Sequence, residues 1–234
     1  MCYYTSVKTK ASDLIKAVEA PFADQDSFEP AYQLNGFAHP DMPVLSNDQD
    51  RSIKLYSWGL IPGWVKDWSD AEKLRNQTLN AKSETIFEKP SFRNAIVKNR
   101  CIIPVTGFFE WKHEGKEKLP HYIHPKEHPF FYLAGIYSHW KSTFTGEWMT
   151  TFSIITAEAN ELMASIHNTK KRMPLMIDQQ NINAWIDNDL PKAGIIELMQ
   201  PCDDCSMAAY PIQKITGNSN VPEILNPIQP STLF

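Results

Sequence analysis

The sequence predicts a mainly antiparallel α+β domain, and three observations carry that expectation. Segments rich in β-branched and aromatic residues outnumber those with helical periodicity. Most neighbouring β-like segments follow one another without a helix between them, which disfavours a doubly wound parallel sheet. No composition shift, linker or internal repeat divides the 234 residues. One domain is therefore expected over 1–234, with its core at about 2–212 and an irregular arm at about 216–234. A hydrophobic content of 42% can build a substantial core and argues against disorder.

The elements follow in chain order. Ser12 caps a helix running to about Glu19, which Pro21 ends. Residues 32–37 and 53–58 read as strands, and Trp58-Gly59-Leu60-Ile61-Pro62-Gly63-Trp64 then forces a turn. A short polar helix covers Asp70 to Asn76. Ser83 and Ser91 each cap a further short helix, the second carrying Phe92, Ala95 and Ile96. Cys101-Ile102-Ile103-Pro104-Val105 is β-like, and Gly107 to Lys112 forms a second strand segment after a break. Strands at 130–137 and 148–156 precede a helix from Ala159 to Ile166 and a strand from Met173 to Ile177. Helices at 180–187 and 193–199 lead to a last strand from Met207 to Ile212. Beyond Thr216 the Gly/Asn/Pro composition reads as a surface arm.

The formal net charge of −4 argues against coating nucleic acid by bulk electrostatics, yet leaves room for one basic cleft. No apolar run approaches about 18 residues and no basic-then-apolar leader is present, so a soluble, non-secreted protein with no membrane partner is expected. Cys202-Asp203-Asp204-Cys205 is a C-x-x-C without a second ligand pair, and its acids would raise a thiol pKa, so a structural reading is favoured. His121, His124 and His128 alternate with Pro120, Pro125 and Pro129, which reads as a solvated hairpin edge. No metal and no cofactor are expected.

Cys2 directly follows Met1, so removal of Met1 would leave one carbon bearing an amine and a thiol. An α-amine titrates at roughly 7.7–8.0 and an ordinary Cys at about 8.5, so a useful fraction of each would be unprotonated near neutrality. Such an aminothiol condenses with an aldehyde to an imine, which the sulfur closes to a thiazolidine. The plain alternative is an incidental Cys at a frayed end. Glu110 stands in the apolar strand Phe108-Phe109-Glu110-Trp111, where alternation places it on the face of Phe108. It is either an exposed edge residue or an acid–base group in a partly desolvated cleft. His167 follows a helix and precedes Lys170-Lys171-Arg172, so it either stabilises the helix dipole or shuttles protons. Asn80, in Leu79-Asn80-Ala81-Lys82-Ser83-Glu84-Thr85, offers amide donors and an acceptor, or simply helps turn the chain.

Taken together these blocks are more telling. Cys2, the Trp58–Trp64 segment, Asn80 to Thr85, Arg100 to Pro104 with Gly107 to Lys112, and His167 with Arg172-Met173-Pro174 occur in the order seen in the SOS-response-associated peptidase (SRAP) family. The chain resembles that family over about residues 2–212. The resemblance implies a barrel-like β core with peripheral helices, binding of single-stranded DNA and covalent trapping of abasic sites. It implies Cys2 as nucleophile, Asn80 orienting the sugar, Glu110 in proton transfer and His167 in ring opening and reversal. A monomer in a bacterial-type cytoplasm, associated with the nucleoid when DNA is damaged, is the matching expectation. Phosphate partners are sought among Lys82, Arg93, Arg100, Lys170, Lys171 and Arg172. Trp64 and Trp68 are stacking candidates, with ordinary packing as the alternative.

The chain departs from the family pattern in places. Cys2-Tyr3-Tyr4 replaces a common Cys-Gly-Arg, so Tyr4 would stack where an Arg would hold phosphate. Lys82 stands where Arg is common, giving a point charge in place of a fork. The stretch from His167 to Arg172 is longer than in many relatives. Two other functions fit Cys2 or its absence from chemistry: an N-terminal-nucleophile thiol amidohydrolase or peptidase, and a non-catalytic single-strand binder.

Overall fold

The computed structural model describes residues 2–48, 50–202, 204–215 and 220–228; Met1, the Cys205 side chain and part of the expected arm lie outside them. In chain order the strands and helices are β1 (Tyr4–Val7), α1 (Ala11–Val18), β2 (Ala31–Asn35), β3 (Asp41–Ser46), β4 (Ile53–Trp58) and α2 (Trp68–Arg75). They continue through β5 (Asn80–Lys82), α3 (Arg93–Lys98), β6 (Arg100–Val105), β7 (Gly107–Glu114), β8 (Glu117–Pro125) and β9 (Phe131–Lys141). The chain then forms β10 (Trp148–Glu158), α4 (Glu161–Ile166), β11 (Arg172–Pro174), α5 (Ile182–Trp185), α6 (Lys192–Leu198) and β12 (Met207–Pro211). Helix α1 buries Leu14 and Val18, four apart on one face, and Glu19 in a left-handed turn stops it before Pro21 is reached.

Two sheets organise the strands. One runs β12-β8-β7-β1-β2 and is antiparallel throughout. The other runs β10-β4-β3-β6-β9, and β9 pairs back onto β10 from Lys141↔Trp148 to Gly135↔Ile154. That return closes five strands into a barrel and removes two free edges. β10 also carries β5 in parallel and β11 antiparallel at its far end. The α+β, barrel-like expectation therefore holds.

β1, β3, β5 and β8 carry no clear strand signal in the sequence, for identifiable reasons. β3 contains Pro43, but it pairs with β6 only at Leu45 and Ser46, so the missing N–H costs no ladder bond on that side. β8 corrects the reading of a solvated edge: it lies between β7 and β12, with Tyr122 and Ile123 buried. The strand expected to reach Ile177 ends at Pro174; beyond it the Leu175 N–H still donates to Ile155 O at 2.8 Å, and a Leu133↔Met176 bridge carries residues 175–177 onto β9.

The main core joins the barrel interior to the inner face of the five-stranded sheet through residues such as Phe108, Ile123, Phe152 and Met163. Phe109, Tyr122, Ile212 and Leu225 form a second, smaller cluster on the sheet's outer face. The described part of the arm covers that face with a 3-10 turn at Pro222–Leu225, and Asn220 Oδ1 accepts the Tyr32 N–H. β7 thus sends Phe108 inward and Phe109 outward, and the same alternation turns Glu110 inward. Gly107 is required by close approach: a Cβ there would lie 2.4 Å from the Tyr122 ring. The Tyr122 hydroxyl in turn contacts Ser6 Oγ at 2.8 Å and donates to Thr106 O at 3.1 Å, locking β1 to β7 and β8.

Candidate active site

Cys2 lies just ahead of β1 at the seam between the two sheets, and it is 1% exposed. Its carbonyl accepts a 2.8 Å hydrogen bond from Asn80 Nδ2. Asn80 opens β5 and pairs with Ile154 of β10, while buried Trp58 donates its indole N–H to Leu79 O at 2.9 Å. The tryptophan of the turn segment therefore fixes the backbone that presents Asn80. Asn80 Oδ1 is buried and has no hydrogen-bond partner among the described residues. Such an acceptor is costly unless a ligand donor completes it.

Glu110 is 8% exposed, so the exposed-edge reading is excluded. Its Oε1 accepts the Trp111 N–H at 3.1 Å, and its Oε2 lies 3.5 Å from His167 Nδ1. His167 terminates α4, a helix capped by Asn160 Oδ1 accepting the Met163 N–H at 2.9 Å. Nδ1 also sits 2.8 Å from Arg172 O. Nδ1 thus meets two acceptors, Glu110 Oε2 and Arg172 O, and one donor, the Arg172 N–H at 3.3 Å. Burial pushes the His167 pKa below the usual range, and the Glu110 charge only partly opposes this. At neutral pH the imidazole is accordingly uncharged.

The thiol of Cys2 departs from the ordinary value expected of it. Burial, with the Glu110 charge as a second cause, pushes it up to about 12. A standing thiolate is thus disfavoured.

The expected DNA contacts separate into distinct places. Arg172 is 11% exposed in its side chain, grips both carboxylate oxygens of Glu84 and donates to Thr156 O at 2.6 Å. Exposed Lys82 pairs with the same Thr156, so Lys82, Glu84 and Arg172 share one rim of the site. Lys170 and Lys171 are exposed on the loop beyond His167. Trp64 is 58% exposed and lines a cleft of about 270 Å³ with Ser91, Asn94 and Lys98; Arg93 is exposed at the start of α3 nearby. Trp68 packs against Trp140, ring centres 5.8 Å apart. Tyr4 lies on the outer face, edge-on to Trp111 at 5.0 Å, on the side of the sheet away from Glu110. Tyr4 meets Cys2 only through its backbone, its carbonyl accepting from Cys2 Sγ at 3.9 Å, while its ring and the side chains of Arg93, Trp64 and Trp68 lie apart from the thiol.

Arg100 is corrected outright as a phosphate candidate. It is fully buried and donates to the carbonyls of Ile96, Val97, Trp185 and Asp187, closing the ends of α3 and α5. The C-x-x-C loop braces α4: Asn160 Nδ2 donates to Cys202 O and Asp204 Oδ2 accepts the Leu162 N–H at 3.2 Å. Among the described residues no group of three or more His, Cys, Asp or Glu side chains gathers to hold a metal. No described helix is long and apolar enough to cross a membrane.

Glu84 and Thr156 went without a role in the sequence, although Glu84 lies inside the Asn80–Thr85 block. Its signal was an acid within a basic rim, legible only once Arg172 is seen opposite.

Comparisons with known proteins bear on this arrangement. The family described as SOS response associated peptidase (SRAP) matches residues 1–219. A Bacillus subtilis protein named abasic site processing protein YoqW is 32% identical over 230 residues, covering 96% of this chain and 99% of that protein. A Xenopus tropicalis protein named abasic site processing protein HMCES is 27% identical over 233 residues, covering 86% of this chain and 67% of that one. The crystal structure of a Bacteroides thetaiotaomicron protein superposes with a TM-score of 0.92 at 40% identity, covering 97% of this chain and 100% of the other. A Bordetella bronchiseptica structure at 21% identity and TM-score 0.78 shares the fold.

Proposed function

The chain belongs to the SOS response associated peptidase family, and we propose that it processes abasic sites in single-stranded DNA by capturing them covalently on Cys2. The observation that carries this reading is the convergence of the Cys2 backbone, Asn80, Glu110 and His167 on one buried point. The names of its relatives, abasic site processing proteins, supply the substrate class.

The chemistry runs as follows from these residues. Removal of Met1, by hydrolysis of the Met1–Cys2 amide, frees the α-amine. An abasic deoxyribose is mostly a closed ring, and opening requires one proton to leave the anomeric hydroxyl and one to reach the ring oxygen. Neutral His167, coupled to Glu110, suits that relay, and positioned acid–base groups contribute typically about 10²–10⁴-fold. The amine adds to the exposed aldehyde, and the resulting hydroxyl leaves as water with one proton delivered from solvent through Glu110, giving an iminium. The sulfur then bonds to that carbon while its proton is taken by Glu110 and the nitrogen becomes a neutral amine. Because the buried thiol holds its proton, the amine attacks first and the sulfur second. Well-oriented intramolecular closure of this kind reaches effective molarities of about 10⁵–10⁸ M. Ring closure removes the iminium that would acidify the neighbouring carbon and promote strand cleavage, so the product is a shielded lesion.

Asn80 Oδ1 offers the acceptor that a sugar hydroxyl of the opened lesion would fill. Lys82 and Arg172 supply positive charge on the adjoining rim. The direct test is incubation with an oligonucleotide holding one abasic site, followed by denaturing electrophoresis. A Cys2-dependent shifted band supports the reading, and a band that persists in Cys2→Ala contradicts it.

A further inference from the structure

His167 stands at a helix end, and a helix end by itself leaves the following loop free to carry the imidazole away. The residue after it is exposed Asn168. Its Oδ1 accepts the His113 N–H at 3.1 Å and its Nδ2 donates to His113 O at 2.8 Å. His113 belongs to β7, further along the strand that carries Glu110. β1 pairs with β7 only from Gly107 to Phe109, so β7 has an uncovered edge beyond that point. The Asn168 carboxamide occupies this edge as a neighbouring strand would, presenting one acceptor and one donor to a single residue. At its other end the loop is tied to the rest of the chain by the Lys171 N–H donating to His167 O at 2.9 Å and the Ala159 N–H donating to Lys171 O at 3.0 Å.

We propose that Asn168 is a positioning residue: by pairing the His167 loop to the free edge of β7, it holds the imidazole against Glu110. The inference that this sets proton-transfer rates rests on the abasic-site reading above; the placement itself does not. Two bonds to one backbone residue fix both the height and the angle of the loop, which one bond would not do. The clamp is exposed and outside the core, so its loss leaves the fold intact. The charged groups that bear on the imidazole are Glu110 from β7, Lys170 from the same loop, and the amino terminus.

The test pairs an NMR titration of the His167 imidazole in the free protein with the rate at which the abasic-DNA adduct releases in excess competitor. N168A is expected to raise the imidazole pKa toward the ordinary value, because the ring leaves its buried place. Adduct release in N168A is expected to slow about ten- to a hundredfold, the scale of a roughly 1 Å misplacement. N168D, which keeps the acceptor and loses the donor, is expected to lie near N168A. An unchanged titration in N168A overturns the placement. A shifted titration with wild-type release, in a background where H167A slows release, overturns the kinetic part. If the wild-type protein forms no adduct, the abasic-site reading fails and the titration alone decides the placement.

Discussion

Asn80 holds Cys2 by a hydrogen bond from its amide nitrogen to the Cys2 carbonyl at 2.8 Å, and among the described residues its own carbonyl oxygen is buried without a partner. One half of the carboxamide thus fixes the Cys2 backbone, and in the proposed capture the other half receives a substrate hydroxyl. Replacing Asn80 by Ala removes both functions. Capture is expected to slow by one to two orders of magnitude, at about the worth of one or two buried hydrogen bonds. Stability changes little, because the lost bond is offset by removal of the orphaned acceptor. Adduct kinetics beside a thermal melt will check this; a collapse in Tm with normal kinetics would make Asn80 structural.

Glu110→Gln keeps the shape of the side chain and removes its charge. Capture is expected to slow by about 10²-fold if Glu110 is the proton acceptor for the thiol. The same change lowers the Cys2 pKa from its present position, yet leaves it above the ordinary range because burial is the larger cause. Alkylation of the protein against pH reads that shift. A wild-type capture rate in the variant would return Glu110 to a packing role.

The buried thiol also predicts how stability varies at high pH. The unfolded chain releases this proton near 9.0 and the folded chain holds it to about 12. Between those values the folded state binds more protons, so stability falls as pH rises through that window. Cys2→Ser removes the titration but leaves the tyrosines that also titrate there. Its Tm should therefore decline less steeply than wild type between about pH 9 and 11. Parallel declines would show that Cys2 is not buried in solution.

Arg172 is held by Glu84 and Thr156, so Glu84 competes with any phosphate for the guanidinium. Glu84→Ala is expected to tighten binding of undamaged single-stranded DNA and to steepen its salt dependence by about one phosphate contact. Arg172→Ala is expected to weaken binding. Fluorescence anisotropy across a salt series measures both; unchanged affinity in Glu84→Ala would remove Arg172 from the DNA path.

Much of this site was legible in the sequence because its residues sit where local rules are strong. The alternation of Phe108, Phe109 and Glu110 turned the carboxylate inward, as the two core clusters confirm. His167 was readable as a helix-terminal residue. What the sequence withheld depended on distant pairing. Arg100 resembles a surface cation until α3 and α5 bring four carbonyls to it. The prolines of β3 and β8 hid strands that each pair with an adjacent strand on one side and a distant one on the other, β6 for β3 and β12 for β8. Cys2 looked like an end residue of ordinary acidity, and only the closure of two sheets around it buries the thiol.

The most direct measurement is the intact mass of the protein after reaction with an abasic single-stranded oligonucleotide and denaturation. The predicted species is the chain without Met1, plus the oligonucleotide, minus one water, and it should be absent with Cys2→Ala. Retention of Met1 in the reacted protein, or an adduct mass in the Cys2→Ala variant, would contradict capture by the amine and thiol of Cys2.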